Sequence, residues 1–185
     1  MATAQRLDDD GSGPYRHCLR CGGGLSARRL APHEPSRLVC DACGFVFYLD
    51  PKVAVGAIFE SAGGIVLLRR GIEPGYGRWV FPGGYVDRGE TLEAAARREA
   101  LEEVNAEIRI TRLLNAYSYA GRPVVVVVYA AEAVGGALRA GEEAIEVRAF
   151  EPKAIPWDDL AFPSTRDALR DFLNQVPEAR KEEKR

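Results

Sequence analysis

The chain has 185 residues, of which 46% are hydrophobic and 28% charged, and a formal net charge of −2. This composition is typical of a globular protein with one main hydrophobic core and room for a small second module. Because the charge balance is slightly acidic and no apolar run approaches the ~20 residues of a membrane span, neither nucleic acid nor a membrane is an expected partner.

The two ends of the chain are polar. Residues 1–13 lack the apolar segment of a signal peptide, so we expect a disordered lead-in and a cytoplasmic protein. Residues 179–185 are mostly charged and predict a solvated tail. Between them we expect two modules, at 14–50 and 51–178, because Asp50-Pro51 is a dipeptide that favours a turn at a boundary.

The first module contains every cysteine of the chain, in two C-x-x-C pairs: Cys18, Cys21, Cys40 and Cys43. Thiolates at this spacing are typical of a structural zinc site, where four sulfurs fill a tetrahedral shell and leave no position for water. Gly22 and Gly44 follow the pairs, where a tight turn can aim backbone N–H groups at the sulfurs. Two disulfides are the alternative, which the missing export signal disfavours. Neither His17 nor His33 is needed as a ligand.

The second module alternates strand and helix patterns. Strands are predicted at 53–59, 65–69, 107–117, 124–131 and 145–150, with a hairpin turn at 61–64. The valine-rich run at 124–131 predicts a central strand covered on both faces. A helix is predicted at 91–104, with Thr91 as its N-cap and with Leu101 and Val104 facing the core, and a second helix opens at Ser164.

From residue 51 onward the chain has no cysteine and no histidine. This excludes a Cys–His or Ser–His–Asp nucleophile and a histidine-bound transition metal in the second module. The G-x-x-x-x-G-K-[ST] loop of P-loop enzymes is also missing. The remaining reactive groups are carboxylates, arginines and aromatic rings, which suit a hydrolase that uses a carboxylate-bound divalent cation.

Three glutamates of the predicted helix share one face, because Glu99, Glu102 and Glu103 stand at i, i+3 and i+4. Like charges at this spacing destabilise a helix unless a cation neutralises them, and Mg²⁺ prefers oxygen ligands. A solvated acidic face is the alternative. The nearby Gly-Gly turn, an upstream Glu90 and the adjacent Arg98 favour the metal site.

The segment around these glutamates resembles the Nudix box, G-x5-E-x7-R-E-U-x-E-E-x-G-U, in which U is a bulky aliphatic residue. The positions that match are Gly84, Glu90, Arg98, Glu99, Glu102 and Glu103. Ala100 and Ala106 are small where the pattern has larger aliphatic residues. Asn105 replaces the final glycine, which ends the helix in the left-handed conformation, and asparagine is the next most tolerant residue there.

The resemblance implies a fold and a set of roles. The fold is α/β, a Nudix α/β/α sandwich with a mixed sheet, preceded by a small zinc ribbon. Glu99, Glu102 and Glu103 would bind Mg²⁺ or Mn²⁺, with the Gly83 carbonyl as a further ligand. Arg98 would pair with Glu90 to join the loop to the helix. Glu99 or a distal glutamate would serve as the base.

A further catalytic or metal-binding acid is expected downstream. The segment E-V-R-A-F places Glu146 at the position where the family often has one. Glu142 and Glu143 are the competing candidates, in a loop that a purely solvated reading also explains.

The substrate implied by the resemblance is a small-molecule nucleotide with a pyrophosphate bond, such as ADP-ribose or FAD. NADH and NAD-capped RNA are the rival substrates, but the S-Q-P-W-P-F-P-x-S sequence of that subfamily is missing after the box, where residues 111–121 read TRLLNAYSYAG. An inactive Nudix domain with a ribbon that binds RNA or protein is the third possibility. Related zinc-ribbon enzymes usually pair, so a homodimer is expected.

Aromatic rings near the box are candidates for stacking on a nucleobase or flavin ring. They are Trp79, Phe81, Tyr85, Tyr117 and Tyr119. Each of these rings could instead belong to the hydrophobic core.

Overall fold

A computed structural model describes residues 15–49 and 51–175. These form two compact units, one built on the cysteine-containing segment and one on residues 52–119 and 124 onward. The expected lead-in at 1–13, Asp50 and the expected tail at 179–185 lie outside the described residues.

The cysteine-containing unit is a small antiparallel sheet. Its strands are β1 (Leu25–Arg28), β2 (Arg37–Cys40) and β3 (Val46–Phe47), in the order β1-β2-β3. Leu38 and Val39 are buried in the middle strand. Gly22 and Gly44 adopt the left-handed conformation, with φ of 74° and 71°, as the predicted turns require. The unit has few buried apolar side chains, which fits a module that depends on a bound metal for its stability.

The main unit is built on a mixed four-stranded sheet. Its strands are β4 (Lys52–Ile58), β8 (Gly83–Tyr85), β9 (Glu107–Tyr117) and β10 (Val124–Gly135), in the order β8-β4-β10-β9. β10 runs parallel to β4, and the other pairs are antiparallel. As predicted from its valine run, β10 lies inside the sheet, and its β-branched residues suit a strand with both faces covered.

A second sheet has the order β11-β6-β5, with β7 also paired to β6. Its strands are β5 (Glu60–Ser61), β6 (Gly64–Arg70), β7 (Trp79–Val80) and β11 (Ala144–Phe150). β5 and β6 form the predicted hairpin. Its two turn residues, Ala62 and Gly63, have positive φ angles of 50° and 84°, which match the right-handed twist of the paired strands.

Two α-helices of 13 residues each cover the main sheet: α1 (Leu92–Val104) and α2 (Pro163–Gln175). Residues of β4 alternate between them, because Val55 packs with α1 and Ile58 packs with α2. This arrangement is the predicted α/β/α sandwich. Among the described residues, no helix is long and apolar enough to cross a bilayer.

The ends of α1 follow from its sequence. The Thr91 hydroxyl accepts a hydrogen bond from the Ala94 N–H at 3.2 Å, which satisfies one free donor of the first turn. Asn105 ends the helix in the left-handed conformation, with φ 53° and ψ 38°. Its side-chain amide also donates to the Ala137 carbonyl at 2.7 Å. Asparagine therefore performs the conformational role of the expected glycine and adds a tether.

The buried face of α1 is made of small residues. Ala95, Ala96 and Ala100 are fully buried, together with Val104. Their size lets the helix lie close to the sheet. The prediction that Leu101 faces the core is wrong, because its side chain is 50% exposed. It stands one residue beyond Ala100, which is about 100° further around the helix.

The start of α2 also differs from the prediction. The helix begins at Pro163 and not at Ser164. Proline suits the first helical position because it has no N–H to satisfy there and its φ is already helical. Ala168, Leu169 and Phe172 of this helix are buried against the main core.

Candidate active site

The four cysteines form one cluster of free thiols, whose sulfurs all lie within 4.8 Å of one another. The Sγ atoms of Cys18 and Cys43 are 3.8 Å apart, and those of Cys21 and Cys40 are 3.5 Å apart. A tetrahedral zinc shell with Zn–S bonds of ~2.3 Å spaces its sulfurs by about 3.8 Å, so the cluster fits zinc and is too wide for disulfides. His17 and His33 are exposed and lie outside it.

Backbone N–H groups point at the sulfurs, as the turn sequence predicts. The Cys43 N–H lies 3.5 Å from Cys40 Sγ, and the Arg20 N–H lies 3.4 Å from Cys18 Sγ. The Cys43 N–H lowers the pKa of the Cys40 thiol to about 6. Donors of this kind favour the thiolate form that binds metal.

The second site lies where β8 meets α1, and its two glycines are required by space. A Cβ on Gly84 would lie 2.5 Å from Glu99 Oε1, and a Cβ on Gly83 would lie 2.3 Å from the Val55 carbonyl oxygen. Any larger residue at either position would displace the glutamate or the neighbouring strand. The Gly-Gly pair therefore allows the acidic face of α1 to contact the edge of the sheet.

The backbone of Gly83 faces this acidic face. Its N–H donates to Glu103 Oε2 at 2.7 Å. The neighbouring Pro82 carbonyl accepts from the Ala57 N–H of β4 at 3.0 Å. Because backbone groups of successive residues in an antiparallel strand point to opposite sides, the Gly83 carbonyl points away from β4, like its N–H. That orientation is the one needed for the predicted role as a metal ligand.

Arg98 makes hydrogen bonds to several groups on and beside the acidic face. It donates two hydrogen bonds to Glu90, both at 2.9 Å, in the predicted pairing. It also donates to Glu99 at 2.7 Å, to Glu102 at 3.0 Å and to the Tyr85 carbonyl at 3.1 Å. Arg98 lowers the pKa of Glu90 to about 2. Glu90 therefore remains ionised and ties the loop to the helix.

Glu103 is the deepest of the three glutamates, with 8% of its surface exposed. Burial raises the pKa of its carboxyl to about 7, against the opposing effects of the Gly83 N–H and the positive charge of Arg70. Burial also raises the pKa of Glu99, although Arg98 opposes the shift. Glu102, by contrast, is exposed. A charged carboxylate at the buried position needs a nearby cation.

The donor set fits a divalent cation of the Mg²⁺ or Mn²⁺ type. All three side chains offer oxygen, the Gly83 carbonyl faces the same side, and carboxylates and carbonyls are the ligands such ions prefer. In this structure Arg98 binds Glu99 and Glu102, while the Gly83 N–H binds Glu103.

A loop at residues 136–143 closes the C-terminal end of α1. The Gly141 N–H donates to the Glu103 carbonyl at 2.9 Å, and the Arg139 N–H donates to the Val104 carbonyl at 3.1 Å. These bonds satisfy carbonyls that the end of a helix leaves without partners. The loop is therefore fixed to the C-terminal end of α1.

The three downstream acids, Glu142, Glu143 and Glu146, have different surroundings. The Glu143 carbonyl accepts from the Gly71 N–H at 2.7 Å, and the charge of Glu143 raises the pKa of both Glu99 and Glu103. Glu146 lies on β11 and forms an ion pair with Arg148. Glu142 is exposed in the same loop as Glu143. The sequence did not predict this influence of the Glu143 charge on the pKa of Glu99 and Glu103.

Four of the five candidate stacking residues are committed to packing. Trp79 and Phe81 are buried in the main core. The Tyr117 hydroxyl donates to Asp171 and the Tyr119 hydroxyl to Asp167, both at 2.7 Å, which fastens β9 to α2. The alternative stated for these rings therefore holds for Trp79, Phe81 and Tyr117, which are buried and present no open ring face. Large apolar rings gain more from burial in the core.

Tyr85 is the exposed member of that set, at 52%. Lys52 Nζ lies 4.9 Å from the centroid of its ring. No motif in the sequence predicted a role for Lys52. Nor did any motif predict a role for Arg70, the last residue of the L-L-R-R segment in β6, whose charge reaches Glu103. The only signal for either was a basic residue at the end of a predicted strand.

Comparison with known proteins matches both modules. A model of the NUDIX domain matches residues 50–173, and a model of the Nudix N-terminal zinc ribbon matches residues 16–49. The chain therefore belongs to the Nudix family of hydrolases. It is a metal-dependent enzyme that cleaves pyrophosphate bonds, preceded by a zinc ribbon.

Individual relatives agree with this assignment. The chain is 35% identical over 165 residues to an ADP-ribose pyrophosphatase from Methanocaldococcus jannaschii, a match that covers 85% of this chain and 96% of the relative. It is 30% identical to the NAD-capped RNA hydrolase NudC from Chromobacterium violaceum, over 88% of this chain but 60% of the relative. The crystal structure of a NUDIX hydrolase from Nitrosomonas europaea superposes with a TM-score of 0.83 at 34% identity, covering 88% of this chain and 92% of that one.

The zinc ribbon gives a first prediction. Purified protein should contain one zinc per chain, and Cys40→Ser should lose it and unfold the ribbon, because the unit has little core of its own. Metal analysis by mass spectrometry and circular dichroism measure these effects. Cys18→Ser, in the other C-x-x-C pair, should also lose zinc and unfold the ribbon. His33→Ala should retain the metal. Zinc-free, folded wild-type protein would contradict the assignment.

Glu103 gives the second prediction. A pKa raised from 4.5 to about 7 makes a contribution to stability that is complete below pH ~4.5 and lost as the pH rises through ~7. In protein that retains its zinc but is free of Mg²⁺ and Mn²⁺, wild type should therefore lose roughly 3 kcal/mol more of its unfolding free energy than Glu103→Gln across this window, by urea unfolding. The variant should also lose at least ~100-fold in turnover, because its amide cannot hold the cation by charge.

Glu93→Gln is the control for Glu103→Gln, since Glu93 lies on the same helix but in its exposed first turn. It should leave turnover and the pH dependence of stability near those of wild type. Near-normal turnover in Glu103→Gln would refute the role of Glu103 as a metal ligand.

Proposed function

We propose that this enzyme hydrolyses the pyrophosphate bond of ADP-ribose or FAD, with Mg²⁺ or Mn²⁺ as the catalytic ion. The observation that supports this most directly is the complete acidic face of α1, with Glu99, Glu102 and Glu103 next to the Gly83 backbone. The similarity to an ADP-ribose pyrophosphatase along almost its entire length supports the substrate. The products would be AMP with ribose 5-phosphate, or AMP with FMN.

The residues divide into holding and orienting roles. Glu99, Glu102, Glu103 and the Gly83 carbonyl would hold the cation, which when bound neutralises the charge that builds up on the phosphoryl oxygens. Arg98 and Glu90 would keep the loop after β8 and the acidic face of α1 in register through their paired hydrogen bonds. The Gly-Gly turn would let the diphosphate approach the backbone closely.

Hydrolysis also requires a carboxylate that accepts a proton from the attacking water. Glu143 is our preferred candidate, because its charge acts on Glu99 and Glu103 and the loop that carries it is tied to α1. Glu99 is the alternative within the box. Glu146 remains a candidate, although its pairing with Arg148 would have to break.

The second candidate function is hydrolysis of NADH or NAD-capped RNA. It is favoured by the similarity to NudC, of which this chain spans 60% of the length. The residues that follow the box differ from the signature of that subfamily, which favours the first candidate. A catalytically weak Nudix domain whose ribbon binds RNA or protein is less consistent with the complete set of glutamates.

The third prediction concerns substrate choice. In a panel with Mg²⁺ and Mn²⁺, ADP-ribose or FAD should give a higher kcat/KM than NADH. The preference should be roughly 10- to 100-fold, because one well-formed stacking contact contributes ~1–3 kcal/mol, and Tyr85 is the exposed candidate ring. Product analysis by chromatography should identify AMP. If NADH is the best substrate, the proposed substrate is wrong although the reaction class remains.

The fourth prediction concerns the proton acceptor. Glu143→Gln should reduce kcat by roughly 100-fold with little change in KM, since a general base contributes about 10²–10⁴-fold. Glu142→Gln, the next residue in the same exposed loop, is the matched control and should be mild. If only Glu146→Gln lowers kcat, the proton acceptor is Glu146 on β11 and not Glu143.

The fifth prediction concerns assembly. We propose a homodimer that acts in the cytoplasm, where reduced thiols remain available to zinc. Sedimentation or light scattering at micromolar concentration should give twice the mass of the chain. A monomeric mass under these conditions would count against the dimer.

A further inference from the structure

The charge of the chain is divided unequally between its two modules. The whole chain has a formal net charge of −2. Residues 16–49, which match the zinc-ribbon model, contain five arginines against one glutamate and one aspartate, a net charge of +3, so the rest of the chain carries −5. A zinc ion held by four thiolates would add −2 at the cysteine cluster. The acidic balance of the whole chain therefore does not exclude an anionic partner for the ribbon.

Two of these arginines lie opposite each other in the ribbon sheet. Arg28 of β1 pairs directly with Arg37 of β2, at the end of the ladder away from the Leu25–Cys40 pair. Residues directly opposite in an antiparallel pair share one face, and like charges there destabilise the sheet. The Asp41 carboxylate forms an ion pair with Arg28, which offsets the charge of one member of the pair.

The guanidinium of Arg37 has no ion-pair partner within residues 15–49 and 51–175. None of the ion pairs there, with N···O distances up to 4.0 Å, includes it. Its Nε is buried and has no hydrogen-bond partner. Every N–H of a guanidinium is a donor, and a donor without an acceptor costs stability. An anion bound to the terminal nitrogens of Arg37 would offset its repulsion from Arg28.

An exposed aromatic ring lies next to this guanidinium. The guanidinium carbon of Arg37 is 4.7 Å from the centroid of the Tyr48 ring, and Tyr48 is 56% exposed. Because Leu38 pairs with Phe47 in the antiparallel β3, the residue opposite Arg37 is Tyr48. Arg28, Arg37 and Tyr48 therefore lie side by side over about 10 Å at the usual strand spacing. We call these three residues the Arg–Tyr row.

We propose that the Arg–Tyr row binds single-stranded RNA. Phosphate oxygens match the donors of a guanidinium, and an unpaired base stacks on an exposed aromatic ring or on a guanidinium plane. A row of this width spans more than one phosphate of a strand, so it suits a polymer and not a free nucleotide. This surface adds to the proposed function, which concerns the acidic face of α1, and leaves the catalytic unit active.

An acidic protein segment is the competing occupant, because carboxylates also bind arginine. Such a segment has no base to stack on Tyr48, so the exposed ring favours a nucleic acid. RNA is preferred over DNA because the proposed substrates are ribonucleotides, and this choice alone rests on the proposed function.

The experiment uses the full-length protein with its zinc retained. Fluorescence anisotropy measures binding of a single-stranded RNA of about 20 nucleotides, longer than a typical single-strand site. The RNA is labelled at its 3′ end and has a 5′-hydroxyl, so it offers no pyrophosphate to the active site. The variants are Arg37→Gln, Arg37→Lys and Tyr48→Ala. Arg97→Gln is the charge-matched control, since Arg97 is exposed on α1 of the other unit.

Zinc content and thermal unfolding verify that the ribbon of each variant is folded. Two positions are changed, so loss of zinc from one variant leaves the other as the test. If Arg37 and Tyr48 only stabilised the ribbon, their replacement would change thermal unfolding and leave the affinity for RNA unaltered.

Arg37→Gln should weaken the RNA by roughly 10- to 100-fold, which is typical for loss of a charged hydrogen bond. It should also reduce the slope of log affinity against log salt by about 0.7, because one phosphate contact is lost. Arg37→Lys should retain the slope but recover only part of the affinity, since lysine lacks the planar fork. Tyr48→Ala should weaken the RNA by roughly 10-fold through lost stacking.

The control Arg97→Gln should remain within about twofold of wild type in its affinity for RNA. Arg37→Gln should hydrolyse ADP-ribose and FAD as wild type does, because Arg37 lies in the ribbon and not on the acidic face.

Four results would overturn the inference: a wild type that does not bind the RNA, equal losses in Arg37→Gln and Arg97→Gln, equal binding of DNA with the same sequence, or equal displacement of the RNA by polyglutamate of the same charge. Failure of the proposed function is distinguishable, because it is measured by hydrolysis. A wild type that leaves ADP-ribose and FAD intact but binds RNA through Arg37 would refute those substrates and support the RNA surface.

Discussion

The active-site region depends on the hydrogen bonds and ion pairs that the Arg98 guanidinium makes. The guanidinium joins Glu90 of the loop, the Tyr85 carbonyl of β8 and two glutamates of its own helix. One side chain thereby links three segments and offsets the repulsion of an acidic helix face. Because the guanidinium keeps its charge at physiological pH and lowers the pKa of Glu90 to about 2, the Arg98–Glu90 pair stays ionised over that range.

Close packing of α1 against the sheet is the second requirement, and it explains the departures from the usual motif. Ala100 and Ala106 are fully buried, so their small size is part of the packing and leaves the helix near the strands. Asn105 ends the helix in the required left-handed conformation and binds the loop at residues 136–143. That loop in turn satisfies the last carbonyls of the helix. Each departure is matched by a contact elsewhere in the unit.

The two units obtain stability in different ways. The main unit buries an extensive apolar core between its sheets and helices, and it can therefore accommodate a buried acid such as Glu103 at some cost. The ribbon buries few apolar residues and instead clusters four thiols closely enough to hold one metal ion. Four cysteines can fill a structural zinc shell, whereas the acidic face of α1 offers the oxygen ligands that suit Mg²⁺ or Mn²⁺.

The sequence by itself determined the features that depend on short spacings. Two C-x-x-C pairs specify a cysteine cluster, and glutamates at i, i+3 and i+4 share a face of any helix, so the cysteine cluster, α1 and its acidic face could be predicted. The tertiary structure alone decided which residues surround them. The burial of Trp79 depends on distant segments, and so does the effect of the Arg70 charge on the pKa of Glu103. Such contacts arise when separate strands and helices pack together, and no local pattern encodes them.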